Sequence, residues 1–163
     1  MSGHRARMSG HRAWVEWTAQ GEFASGQYSR RHQVRFDGGA EIVASASPDI
    51  VPAPLSDPAG VDPEEMLVAA VASCHMLWFL SLAQQAGHSV SRYSDAAAGE
   101  MGRIEPGRFA LTRITLRPDI AFAGPVPAAE TLARLHEAAH ERCFIANSLK
   151  TEVVVEPGPA DGL

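Results

Sequence analysis

Two cysteines carry the clearest chemical potential in this chain. Cys74 lies in the apolar segment VASCHMLWFL at 71–80, and Cys143 lies in ERCFIANSL near the C-terminal end. The thiolate is the reactive form of cysteine, and a nearby cation or helix end stabilises it. Free cysteine is also among the most buried residue types, so packing alone explains either thiol equally well. Having only two of them suggests a redox pair, although their spacing matches no CxxC motif.

A metal site is the alternative use of the same side chains. His136, His140 and Cys143 are spaced i, i+4 and i+7, which places them on one face of a helix. Cys74 and His75 would complete four ligands, a plausible set for zinc. Pairs of histidines at this spacing also occur on the solvated faces of helices, so zinc binding is one alternative among several.

Charged residues give weaker indications. Glu64 and Glu65 come at the start of an apolar segment, where acidic side chains commonly stabilise the first turn of a helix. Arg30 and Arg31 stand in QYSRRHQ, and a pair of arginines on a strand is usually solvated. Neither feature identifies a site by itself.

The composition is typical of a soluble globular protein. The chain has 163 residues, of which 45% are hydrophobic and 20% are charged, as in one packed domain. Its formal net charge of -5 disfavours a nucleic-acid surface, which would need a basic patch. We therefore expect a single domain over residues 12–158 and a C-terminal tail at 159–163.

The N-terminal segment MSGHRARMSGHRAW is polar and basic and lacks the apolar centre of a secretory signal. We predict that residues 1–11 are a disordered lead-in, that the protein is cytoplasmic, and that its cysteines form no structural disulfide. The apolar segment 66–83 approaches the length of a membrane span. Because Ser73, His75 and Ser81 interrupt it, we expect no membrane partner.

The first third of the chain alternates in hydrophobicity, which predicts antiparallel strands. The candidate strands are AWVEWT at 13–18, EFASGQY, RHQVRF and AEIVASA, with Gly38 and Gly39 between the last two. Residues 46–60 hold four prolines and predict a loop that is long enough to be functional.

Local signals predict a long helix after this loop. Asp62 suits the N-cap, Pro63 suits the first helical position and Gly87 suits a stop. The residues between them are apolar almost all round, which predicts a helix enclosed by other structure.

The remaining segments predict both strands and a helix. Strand-like segments at 90–101 and 108–122 indicate a hairpin around 102–107, and an amphipathic helix is expected at 128–142 before a strand at 151–156. The order of strands, helix, strands, helix and strand predicts an α+β fold with a central helix.

Two segments resemble the OsmC/Ohr family, the osmotically induced and organic hydroperoxide resistance proteins. DPEEMLVAAVASCHMLWFLSLAQQAG is similar to the central helix of that family, with its Asn/Asp-Pro-Glu opening, alanine-rich run and Ala/Ser-Cys. CFIANSLKTEVVVE is similar to the second cysteine motif and closing strand of the family. The resemblance covers about residues 13–157 and is strongest to a peroxiredoxin-like branch.

The resemblance implies a thiol-dependent peroxidase that reduces organic hydroperoxides. It also implies an OsmC-like fold, in which the strands of an intertwined homodimer wrap two central helices. Cys74 matches the peroxidatic cysteine, Cys143 the resolving cysteine and Glu64 the glutamate of the helix opening.

An arginine completes the site that the resemblance implies. We assign it to Arg30, with Arg31 and Arg35 as alternatives, because its position varies among the N-terminal strands of the family. The family further implies no bound cofactor and an external dithiol, of lipoyl type, that reduces the oxidised enzyme. A non-catalytic redox sensor of the same fold is the alternative function.

The spacing of Glu64 and Cys74 bears on whether the protein is a dimer. Glu64 and Cys74 are ten residues apart, so one straight helix separates them by about 15 Å along its axis. If both serve one site, either the arginine bridges the gap or the glutamate comes from a partner chain, and we expect active sites at a dimer interface. The chain departs from the family at His75, which is usually aromatic, and at Phe144, which is often proline.

Overall fold

The computed structural model describes residues 10–158 and 161–162. The chain divides into two compact units, with the boundary between Pro63 and Glu64. The predicted lead-in at 1–11 lies outside the described residues except for 10 and 11, and so does the tail at 159–163 except for 161 and 162. A single domain over 12–158 stays a prediction.

The first unit contains a three-stranded antiparallel sheet. Strand β1 (Ala13–Glu16) pairs with β4 (His32–Phe36), and β4 pairs with β5 (Glu41–Ala44). Gly39 adopts a φ of 89° in the turn between β4 and β5, a conformation that glycine adopts at little cost. Three of the strands expected from alternation are thus confirmed.

The strand predicted for EFASGQY is wrong. This segment forms a two-residue strand β2 (Gly21–Glu22), a single 3-10 turn (Phe23–Ser25) and a two-residue strand β3 (Gln27–Tyr28). Gly26, with a φ of 79°, reverses the chain at the turn. The physical reason is that the aromatic rings of this segment pack against each other and against Trp17 instead of alternating across a sheet. The proline-rich segment 46–60 contains no helix or strand, as predicted.

Helix α1 (Pro63–Gln85) confirms the long helix and its predicted ends. Glu64 and Glu65 lie in its first turn, where they complement the positive end of the helix dipole. Gly87 follows its last turn with a φ of 82°, as a C-terminal stop requires.

The prediction that α1 is enclosed all round is wrong for this chain by itself. One side of the helix is buried, with Val71, His75, Phe79 and Ala83 at intervals of four residues. The opposite side is exposed over Ala69, Ser73, Leu77 and Ser81, and we call these four residues the exposed stripe of α1. By length and composition α1 could also cross a membrane, but its buried side packs into the protein core.

Four strands follow α1, where two long ones were expected. They are β6 (Val90–Asp95), β7 (Ala98–Glu105), β8 (Arg108–Leu116) and β9 (Pro118–Phe122). The expected hairpin forms between β7 and β8, and β6 pairs with β9 in a second sheet. The strands change sheet where the Arg117 N–H donates to the carboxylate of Asp95 at 2.7 Å, a contact between distant residues.

The last third contains helix α2 (Ala129–Arg142), the four-residue helix α3 (Phe144–Asn147) and strand β10 (Glu152–Val155). Strand β10 lies parallel to β8, and the short strand β11 (Asp161–Gly162) lies parallel to β9. One core cluster joins α1, α2 and β9 around Phe79 and Phe122, and another joins α1 to β8 around Val71. The α+β content is as predicted.

Candidate functional site

The second unit brings Cys74 and Cys143 into contact. Cys74 lies in the middle of α1, and Cys143 stands at the junction between α2 and α3. The two side chains are hydrogen bonded to each other, and both are free thiols. Cys143 is only 1% exposed, whereas Cys74 is partly exposed. The chain thus contains a contacting pair of thiols in which one sulfur is accessible.

The pair is electrostatically asymmetric. Burial raises the pKa of the Cys143 thiol to about 11, and its hydrogen bond and charge interaction with Cys74 act in the same direction. The Ala146 N–H, which donates to the Cys143 sulfur at 3.4 Å, opposes the rise only in part. Cys143 therefore keeps its proton at neutral pH and can donate it in a hydrogen bond to the Cys74 sulfur.

A cation and two aromatic rings lie beside the thiol pair. Trp78 is one helical turn after Cys74, and its ring contacts that of Phe144 edge to face at 5.5 Å. The guanidinium carbon of Arg142 lies 5.8 Å from the centre of the Trp78 ring. We did not single out Arg142 from the sequence, although its position directly before the second cysteine was a signal that could have found it.

Two buried histidines lie on the helices that carry or precede the cysteines, His75 on α1 and His136 on α2. Nε2 of His75 is 3.1 Å from Nδ1 of His136, and the two rings are stacked with an interplanar angle of 5°. Burial lowers the pKa of both imidazoles to about 4, and for His75 the charges of His136 and His140 add to the effect. Both rings are therefore neutral at pH 7.

The alternative of a zinc site is not supported by the geometry. His136 is turned toward His75, and Cys143 is turned toward Cys74, so the three predicted ligands His136, His140 and Cys143 do not converge. Within residues 10–158, no three His, Cys, Asp or Glu side chains are grouped so that they could hold a metal ion. Although the three residues share one helix face, His136 and Cys143 each contact a different residue of α1.

Arg30 belongs to the first unit. Its Nη1 donates hydrogen bonds to the carbonyl oxygens of Gly26, at 3.0 Å, and Tyr28, and its guanidinium carbon lies 3.7 Å from the centre of the Tyr28 ring. It also lines an apolar cavity of about 430 Å³ whose walls include Trp17 and Phe23. Arg30 is thus a partly buried cation at the edge of an aromatic pocket.

The two alternative arginines have other surroundings. Arg31 forms an ion pair with Asp57, with Nη1 3.1 Å from Oδ2, and is about half exposed. The guanidinium carbon of Arg35 lies 5.4 Å from the centre of the Trp14 ring on an exposed strand. Among the three arginines, Arg30 alone lines the apolar cavity.

Glu64 lies in the first turn of α1, in the second unit, and is partly buried. It takes part in none of the ion pairs formed among residues 10–158. The predicted site residues therefore fall into two groups. Cys74, Cys143 and Glu64 belong to the second unit, and Arg30 belongs to the first.

A family model described as OsmC-like protein matches residues 56–157. This range includes both cysteines and Glu64, and it excludes the arginine candidates. No curated protein matches the chain.

Several solved structures are also similar to this chain. An OsmC-like protein of unknown function from Vibrio cholerae is 49% identical, with a TM-score of 0.89, over 93% of this chain and 100% of the other. An organic hydroperoxide resistance protein from Elizabethkingia anophelis is 19% identical, with a TM-score of 0.65, over 97% of this chain and 99% of the other. The protein OhrB of Bacillus subtilis, also an organic hydroperoxide resistance protein, is 20% identical, with a TM-score of 0.61, over 90% of this chain and 98% of the other. The last two similarities show a common fold.

Proposed function

Because the chain belongs to the OsmC-like protein family, we propose that it is an organic hydroperoxide reductase, a peroxidase that works through thiols without a bound cofactor. The observation that carries the proposal is the contact between Cys74 and a Cys143 thiol that keeps its proton. Two sulfurs in contact can form a disulfide before the first is oxidised beyond recovery. The organic hydroperoxide resistance proteins of similar fold support the choice of substrate.

In the first step, the Cys74 thiolate attacks one oxygen of the hydroperoxide. A sulfur–oxygen bond forms, the O–O bond breaks, and the departing alkoxide takes up a proton to become the alcohol. Cys74 becomes a sulfenic acid, oxidised by two electrons. Cys74 is the attacking sulfur because it is partly exposed, whereas Cys143 is buried and keeps its proton.

In the second step, the sulfur of Cys143 attacks the sulfenic sulfur of Cys74. A disulfide forms, and the hydroxide that leaves takes the Cys143 proton to become water. An external dithiol of lipoyl type then reduces the disulfide by exchange and returns both cysteines to thiols.

Arg30 supplies positive charge in this proposal. A guanidinium stays charged at all relevant pH values and can stabilise both the thiolate before the reaction and the alkoxide that develops during it. Arg30 lines the apolar cavity of the first unit, whose aromatic walls suit the alkyl part of a bulky organic peroxide. Glu64 would orient the arginine through its carboxylate.

We further propose that the protein acts in the cytoplasm as an intertwined homodimer with its active sites at the subunit interface. The support is the exposed stripe of α1, where Leu77 is 61% exposed on a helix that is apolar almost all round. A second copy that covers this stripe would bring two central helices together. Glu64 and Cys74 could then serve one site although they are far apart on one helix.

The direct test is consumption of cumene hydroperoxide with dihydrolipoamide as the reductant. Wild-type protein should turn over, and Cys74→Ser should lose essentially all turnover because the attacking sulfur is absent. Cys74 has no part in the chemistry if the variant retains turnover. If peroxide oxidises Cys74 once but no dithiol restores it, the alternative of a non-catalytic redox sensor is correct.

A further inference from the structure

Three side chains that are close to the two cysteines along the chain contact one another, and we call Arg142, Trp78 and Phe144 the Arg142 face. Trp78 lies one turn beyond Cys74 on α1, and Arg142 and Phe144 flank Cys143 in sequence. The Trp78 ring contacts both the guanidinium and the ring of Phe144. Phe144 is 69% exposed, so this apolar ring faces solvent beside the cysteines.

The charge of Arg142 is available for an external group. Arg142 is exposed and takes part in none of the ion pairs formed among residues 10–158. Its guanidinium lies near the face of the Trp78 ring, a contact that does not neutralise the charge. A guanidinium that forms no ion pair and lies next to two apolar rings is complementary to an anionic group on an apolar chain.

We propose that the Arg142 face binds the reductant, and that this reductant is a small dithiol with a carboxylate on an apolar chain. The inference rests on the proposed function, because it assigns the second reactant of that cycle. The carboxylate would pair with Arg142 while the chain lies along Trp78 and Phe144. The alkyl part of the peroxide is assigned to a different site, the cavity of the first unit that Arg30 lines.

Access determines which sulfur the reductant attacks. Cys143 is 1% exposed, so a thiolate of the reductant reaches the sulfur of Cys74, which lies one helical turn before Trp78 on α1. A mixed disulfide to Cys74 forms, the Cys74–Cys143 bond breaks, and Cys143 leaves with the electron pair and takes up a proton. The second thiol of the reductant then attacks its own mixed disulfide and releases Cys74. Two electrons pass from the dithiol, which ends as a cyclic disulfide.

The test separates this step from peroxide chemistry. The Cys74–Cys143 disulfide is formed with diamide, excess oxidant is removed, and the rate of thiol recovery is measured with dihydrolipoic acid and with dihydrolipoamide. These probes share one apolar dithiol chain and differ in a carboxylate against a neutral amide. We expect dihydrolipoic acid to react about two- to fivefold faster than dihydrolipoamide in the wild type, as an exposed ion pair allows, and the preference to shrink as salt is added.

Substitutions identify the residue responsible. Arg142→Gln should slow thiol recovery with dihydrolipoic acid to the rate seen with dihydrolipoamide, and it should leave the dihydrolipoamide rate unchanged. Arg142→Lys should retain most of the preference for the acid. Arg134→Gln is the matched control, because Arg134 is another exposed arginine of α2, hydrogen bonded to Thr131. Equal rates for the two probes in the wild type would overturn the inference, and so would a preference that survives Arg142→Gln.

The outcome is independent of the proposed peroxidase activity. Because diamide forms the disulfide, the reductant preference is measurable even if cumene hydroperoxide is not a substrate. Failure of peroxide consumption with an intact charge preference would contradict the proposed function alone. Peroxide consumption without a charge preference would contradict only the role of Arg142.

Discussion

Nε2 of His75 lies 3.1 Å from Nδ1 of His136, and this hydrogen bond joins the two helices that carry the cysteines. His75 directly follows Cys74 on α1, and His136 belongs to α2, which Cys143 directly follows. The rings are stacked on each other, and His136 also stacks on Phe79 at 4.5 Å. Because the hydrogen bond needs an unprotonated acceptor nitrogen, the two imidazoles cannot both be charged without losing it.

The stability of the protein should fall as the pH is lowered from about 6.5 toward 4. The pKa of His75 and that of His136 are each about 4 in the folded state, against 6.5 for a solvated histidine. Between these values the unfolded chain binds more protons than the folded one, so acid favours unfolding. We expect a loss of about 1–2 kcal/mol per histidine at pH 5, measured as the free energy of unfolding in urea.

A double variant provides the control for this pH dependence. His75→Phe combined with His136→Leu removes both titrating groups and keeps the site apolar, so its stability should change much less between pH 7.5 and pH 5. His140 stays in place in both proteins, and its charge acts on His75 only in the wild type. A wild-type stability that is flat over this interval would show that the pair is not neutral and buried in solution.

Replacement of the second cysteine should trap the first intermediate. In Cys143→Ser the sulfenic acid at Cys74 has no thiol to condense with, so one equivalent of peroxide should leave it available to dimedone. Wild-type protein under the same treatment should form the Cys74–Cys143 disulfide and take up little reagent, as intact mass would show. Equal labelling of both proteins would contradict the resolving role of Cys143.

Loss of Arg30 should slow the peroxide step. Arg30→Gln removes the charge that the proposal places near the reacting oxygen, and we expect kcat/KM for cumene hydroperoxide to fall about 100-fold or more. Arg31→Gln and Arg35→Gln are matched controls, since they remove the same charge from neighbouring positions. Arg31 is paired with Asp57, and Arg35 stacks on Trp14, so each control should change the rate only a few-fold. If kcat/KM fell strongly only in Arg31→Gln or only in Arg35→Gln, that arginine and not Arg30 would supply the charge.

A charge on the exposed stripe of α1 should disrupt the proposed homodimer. Leu77→Glu places a carboxylate where a partner helix would bury an apolar side chain, and an unpaired buried charge is strongly unfavourable. Light scattering coupled to size-exclusion chromatography should then report a lower mass than for the wild type. Val126→Glu, at an exposed apolar residue in the loop before α2, is the control. An unchanged mass in Leu77→Glu would place any interface elsewhere.

Predictions from the sequence succeeded where the determinants are local. The ends of α1 follow from Pro63 and Gly87, whose backbone preferences act within one turn, and α2 follows from the periodicity of its apolar residues. Predictions failed where distant segments decide the outcome. The break between β8 and β9 coincides with a hydrogen bond from the Arg117 N–H to Asp95, a residue of β6, and the pattern of β8 and β9 does not reveal that partner.

The sequence by itself determined the types of the reactive groups, which are two thiols, and the helix on which Cys74 lies. Only the tertiary structure decided that Cys143 contacts Cys74, that His136 faces His75 instead of a metal, and that Arg142 lies over Trp78. Each of these contacts joins α1 to α2 or to the residue that ends it. Packing of two helices that are remote in sequence selects such partners, and residue spacing along one chain does not encode which faces meet.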